Sequence, residues 1–159
     1  MNTQKIVIDY LDKNNELSKE LIWGEMYRTD QYFVRSIPFF APNLAFDDLI
    51  QVEIDDETLY FNDLIKPSNN STLRVVFFNN DIKCIEKILT TLESYLCGWE
   101  GFVGRHYYAI NIPKKVNYIL VKEFLCGWEG FVGRHYYAIN IPKKVNYILV
   151  KEFLDGKSG

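Results

Sequence analysis

The chain has 159 residues, 48% hydrophobic and 16% aromatic, about one domain's length with enough apolar side chain to offset ordering entropy, which excludes a mainly disordered protein. Charged residues make up 25%, no apolar run approaches the length of a membrane span, and residues 1–5 lack the apolar core of a secretory signal. A net charge of −3 argues against broad nucleic-acid binding, and three cysteines without a secretory signal indicate reduced thiols in the cytoplasm.

In chain order, residues 6–10 are a β-branched run stopped by a turn-type cluster at 12–15, which predicts a strand. A second strand is expected over 21–27, closed by the polar turn Arg28-Thr29-Asp30. A third, over 32–37, ends at Pro38, which has no N–H for a ladder. Residues 49–54 alternate apolar and polar over their last four positions, as a half-buried strand does. The acidic turn Asp55-Asp56-Glu57 then folds the chain back onto 58–61 as a hairpin, and residues 72–78 form one more strand after the loop at 68–71.

The period then changes. Ile82, Ile85, Ile88, Leu89, Leu92, Tyr95 and Leu96 recur at steps of three and four, an amphipathic helix over 81–96 with Asn80 or Asp81 as its cap. Gly98, Gly101 and Gly104 form a turn, residues 107–112 a strand, and Pro113 suits the first turn of a second helix over 114–125.

Residues 97–125 and 126–154 are identical, letter for letter, at an offset of 29. Natural stacking repeats keep core positions while their surfaces diverge, and roughly three are needed for a self-supporting stack. Two copies that agree even at Lys114/Lys143 and Glu123/Glu152 therefore indicate a recent or an engineered duplication of one loop–strand–helix unit. The expected fold is α+β in a single domain over 1–154, with a tail at 155–159. Its β-rich half, an antiparallel sheet or small barrel, covers 5–78. A helix–strand–helix portion covers 79–125 and the copy 126–154. Identical segments have equal affinity for one docking slot, and loop closure costs little extra with length. The first copy is expected to fill the slot, with the second adding a strand at the sheet edge or reaching into a neighbouring molecule by swapping, which would make a homo-oligomer.

Five segments share a further pattern. Glu20-Leu21-Ile22-Trp23, Pro38-Phe39-Phe40-Ala41, Asp47-Asp48-Leu49-Ile50, Ser71-Thr72-Leu73-Arg74-Val75 and Ala109-Ile110-Asn111-Ile112-Pro113 follow one another in that order. With them the chain resembles the DUF4265 domain, a bacterial family of unknown function, over about residues 5–125. It departs at Asp47, where the family favours Gly, and at Asn111, where it favours Asp. The resemblance implies an α+β shape and a bacterial origin, and no activity.

Candidate chemistry is sparse. Cys97, His106, Cys126 and His135 make the inventory of a structural zinc site, but each Cys–His pair has eight residues between and the cysteines stand 29 apart, so no metal is expected. A Cys97/His106 nucleophile–base pair is the enzyme reading. Cys97 follows a helix C-terminus, whose negative dipole end raises a thiol pKa. The glycine triplet follows a helix and precedes a strand, the reverse of a phosphate loop. Asp47, Asp48, Asp55, Asp56 and Glu57 lack calcium-loop spacing. With Arg74, an edge or paired charge in an apolar strand, they are the residues expected to meet a basic protein partner. Residues 1–96 carry a net charge of −7, which favours the same reading. The expected function is a non-catalytic, acidic protein-binding factor, immunity- or antitoxin-like, with no cofactor, nucleic-acid or membrane partner. Two other readings stand: a small enzyme using the Cys/His pairs, and an engineered duplication of an uncharacterised domain.

Overall fold

A computed structural model describes residues 2–77, 82–102, 107–127 and 136–139, except the side chains of Cys84, Cys126 and 136–139. The chain divides into two compact units, Met1–Asn70 and Ser71–Gly159.

The first unit contains β1 (Thr3–Leu11), β2 (Leu17–Arg28), β3 (Gln31–Val34), β4 (Leu49–Asp55) and β5 (Thr58–Lys66), closed into a barrel in that order. Neighbours along the chain pair antiparallel. An up-and-down meander with an odd number of strands must close on a parallel pair, and β1 meets β5 in that way, with Ile6 opposite Leu59. Alternation selects the interior: Ile6, Ile8, Ile22, Tyr32, Val34, Ile50, Val52 and Leu59 form the core, joined by Ala41 and Leu44 from the 35–48 connection. Gly24 points into it. A Cβ there would lie 2.3 Å from Ile6 Cδ1 and 3.3 Å from Tyr32 Cβ, so this inward position has no room for a side chain.

Two expectations about where strands end are corrected. The third strand ends at Val34, short of Pro38, because Ser36 leaves the ladder and turns its hydroxyl to the Trp23 N–H at 2.8 Å. The strand after the acidic turn runs on to Lys66, carried past 61 by irregularities in its register with β4.

The second unit contains β6 (Ser71–Phe77), α1 (Ile82–Ser94), β7 (Gly98–Gly101), β8 (Tyr107–Ile112), α2 (Tyr118–Gly127) and β9 (Tyr136–Ile139), with sheet order β7-β8-β6-β9. Leu73, Val75 and Phe77 of β6 and Ile110 and Ile112 of β8 pack with Ile85, Ile88, Leu89 and Leu92 of α1, Val121 and Leu125 of α2, and Cys97. The strand at 72–78, counted above with the β-rich half, therefore belongs to this unit: its ladder partners are β8 and β9.

Gly98–Gly101 is a strand rather than a turn. It pairs with β8, Trp99 opposite Ile110, and so extends the sheet by one edge. The second helix starts at Tyr118, four residues after the expected position, because Asn117 caps it, accepting the Ile119 N–H at 3.0 Å, while 114–116 make a turn after Pro113. The expected caps of α1, Asn80 and Asp81, lie outside the described residues. At its C-terminus the Cys97 N–H reaches the Leu92 carbonyl (3.0 Å) and the Leu96 N–H the Glu93 carbonyl (2.9 Å), with Leu96 left-handed at φ 67°. That is a Schellman ending with leucine in the place that glycine usually takes.

β6 thus has a partner on both edges. One is β8, from the first of the identical segments, with Leu73 opposite Ile110. The other is β9, from the second, with Arg74 opposite Ile139, the residue equivalent to Ile110. The rest of the second segment after Ile139 lies outside the described residues.

Candidate binding surface

The barrel has two rims, and the five expected acidic residues divide between them. The rim carrying the β4 start holds Asp47 and Asp48, while the rim at the β4 end holds Asp55, Asp56 and Glu57.

At the first rim the carboxylates hold the fold. Asp48 is buried and accepts the Ala45 N–H at 2.9 Å and the Ser68 N–H at 2.7 Å. Asp47 has φ 69°, the left-handed region that glycine enters freely. Its carboxylate pairs with Arg35, and Arg35 also donates to Glu25 at 2.7 Å, with its guanidinium over the Phe33 and Phe46 rings. Neither aspartate forms a surface cluster with Asp55–Glu57, and the expectation of one five-residue acidic site is corrected on geometry.

Glu20, which carried no site assignment above, is the centre of this rim. It stands on β2 at an inward-facing position and accepts three backbone N–H groups, from Phe39 (2.6 Å), Phe40 (3.0 Å) and Ala41 (2.7 Å). The Glu-x-x-Trp and Pro-Phe-aromatic-Ala segments are therefore two halves of one clamp, which fixes the 35–48 connection across the barrel end. The available signal was a carboxylate falling on the apolar phase of an alternating strand, a placement that requires donors.

At the opposite rim the β4–β5 hairpin turns through Asp56 (φ 46°) and Glu57 (φ 64°), with Asp55 opposite Thr58. Two left-handed central residues are the mark of a type I′ turn, which matches the twist of the strands it joins. Glu53, Asp55, Asp56 and Glu57 are all exposed, and Ile54 among them is 56% exposed. A second exposed feature lies on the outer face of β2, where Leu21 and Trp23 stand clear of the core and Lys5 sits 5.5 Å from the Trp23 ring.

Arg74 belongs to the second unit. It lies on β6, an interior strand of its sheet, and is 3% exposed, so the edge-residue reading is corrected. The ladder puts it in one row with Ala109 and Glu100.

Cys97 is buried behind the α1 ending, and burial pushes its thiol up to about 11. A thiol held protonated is a poor nucleophile at neutral pH. The dipole invoked above is thus joined by desolvation, the cause that the structure identifies. His106, His135 and the Cys126 side chain lie outside the described residues. Among the described residues no three His, Cys, Asp or Glu side chains group as metal ligands would, and no helix is long and apolar enough to cross a membrane.

Over residues 20–131 the chain matches a family described as "Domain of unknown function (DUF4265)". It is similar to a solved structure described as "Novel crystal structure of a hypothetical protein from Neisseria gonorrhoeae", at 24% identity and a TM-score of 0.75, over 92% of this chain and 99% of that one. That likeness is one of fold. No curated protein matches the chain.

Proposed function

The chain belongs to the DUF4265 family, which assigns no activity, and from its own surface we propose that it is a non-catalytic factor that binds a basic protein partner through the acidic rim of its barrel. The observation that carries this reading is the β4–β5 tip: four carboxylates within five residues, all exposed, on a turn of fixed geometry, around an exposed isoleucine. Such a patch steers a positive surface toward it and gives the apolar centre something to bury once contact is made. An immunity- or antitoxin-like role, covering a basic partner, is the form of binding that this charge pattern suits. The buried, protonated Cys97 thiol supports a non-catalytic reading over an enzymatic one.

The test separates charge from folding. Asp56→Asn with Glu57→Gly gives the residue pair that a type I′ turn favours, so the double variant gains about 1 kcal/mol while the tip loses two charges. Lysate capture on the wild-type protein recovers a basic protein, released as salt rises, and the double variant retains it at least tenfold less well. Capture that is indifferent both to salt and to the two substitutions overturns the reading.

A further inference from the structure

One slot in the second unit is built from residues that occur twice in the chain. Cys97, Ile110, Ile112, Val121 and Leu125 pack against β6 and α1, and each has an identical counterpart 29 residues later. The residue leading into each segment is also the same, Leu96 before Cys97 and Leu125 before Cys126. Every side-chain contact that holds the first segment in the slot is therefore available to the second. Nor would the second travel far, because its strand already lies on β6, paired along the other edge at Phe77↔Tyr136 through Arg74↔Ile139.

We infer that the two segments are interchangeable occupants of the β6–α1 slot, the second acting as a spare that takes over when the first cannot dock. The difference between the two arrangements is chain connection. The first segment follows α1 directly through the Schellman ending at Leu96 and Cys97. Docking the second requires residues 97–125 to loop out, and closing a loop of that length costs on the order of a hundredfold in population. The first segment therefore occupies the slot in the intact protein. A lesion in it costs far more than a hundredfold and reverses the order. The strand that leaves the slot can cover the edge of β6 that the other vacates, since the ladder on either edge is antiparallel.

Ile110 is fully buried and has its equivalent at Ile139, so three full-length variants test this. Ile110→Asp keeps the second unit's cooperative melt, its Tm lowered by about 10 °C, the loop's share in a chain of this size. Ile139→Asp moves Tm by less than about 3 °C, as a change outside the slot does. The double variant, with no intact segment, loses the second unit's transition. Alkylation under native conditions reads the occupant directly, because the tryptic peptides carrying the two cysteines differ in length. Cys97 is protected in the wild type, whereas in Ile110→Asp Cys97 reacts and Cys126 is protected. The inference fails if Ile110→Asp is as unfolded as the double variant. It fails equally if that variant melts cooperatively with Cys126 freely reactive, or if Ile139→Asp alone abolishes the transition. None of these outcomes depends on whether the acidic rim binds a partner.

Discussion

A carboxylate turned into a barrel is stable only where donors meet it, and Glu20 meets three backbone N–H groups. Truncation would leave those donors without their acceptor, the Ala41 N–H in a buried position. Glu20→Ala should therefore cost about 3 kcal/mol, more than the average core substitution, read from urea unfolding of the first unit. Cys97 makes a prediction of the opposite kind, in pH. Its ordinary value is 9.0 and burial raises it to about 11. Below pH 9.0 the thiol is protonated in both folded and unfolded chains, and its contribution to stability is fully present. Between 9.0 and about 11 the unfolded chain gives up its proton first, so stability falls by roughly 2–3 kcal/mol across that window. Replacing the thiol by alanine should flatten this part of the pH profile, which denaturant titration at several alkaline pH values would show.

Elements are where composition and spacing were most legible. Apolar runs bounded by turn residues, with period two in β4 and steps of three and four in α1, located every strand of the barrel, β6, β8 and α1, because each packs a face against a core. What the patterns missed was carried by backbone and single hydrogen bonds. β7 is made of Gly98, Trp99, Glu100 and Gly101, residues that read as a turn until β8 supplies a ladder. The start of α2 was set by the Asn117 cap, not by Pro113. The phase of Glu20 on its strand signalled a need for donors, but not which ones, because its partners are main-chain groups about twenty residues away. At the end of α1 the sequence carries a residue ill-suited to its conformation, Leu96 at φ 67° and 60% exposed. Leu96→Gly should raise stability by about 1 kcal/mol, because glycine enters the left-handed region freely and little apolar burial is lost. Leu96→Ala, which keeps a Cβ, should not; paired thermal melts distinguish the two.

For the whole molecule, the boundary between units fell at Asn70/Ser71, eight residues before the expected end of the β-rich half. Strand propensity could not place it, since residues 71–77 are as β-prone as those before them. Their pairing with 107–112 is long-range information that no local window holds. Closure of the barrel was equally a property of pairing, decided by the short β1–β5 contact. Among the described residues, the barrel's core cluster is drawn from residues 6–64. A chain ending at Asn70 should therefore keep a cooperative melt and a β-sheet circular dichroism spectrum, with modest stability because a domain of about that size buries only about 60% of its surface. Loss of the transition in that fragment would show that the second unit is needed to hold the first together.

The odd strand count also governs how the protein is best handled. Parallel closure brings the start of β1 to the same end of the barrel as the start of β5, and the Asn2 carbonyl accepts the Met26 N–H there at 3.0 Å. An affinity handle fused ahead of Thr3 would therefore crowd the hairpin bearing Asp56 and Glu57, whereas the chain departs from β5 at the far end. A capture experiment anchored at the first residues would mask the surface it was meant to probe.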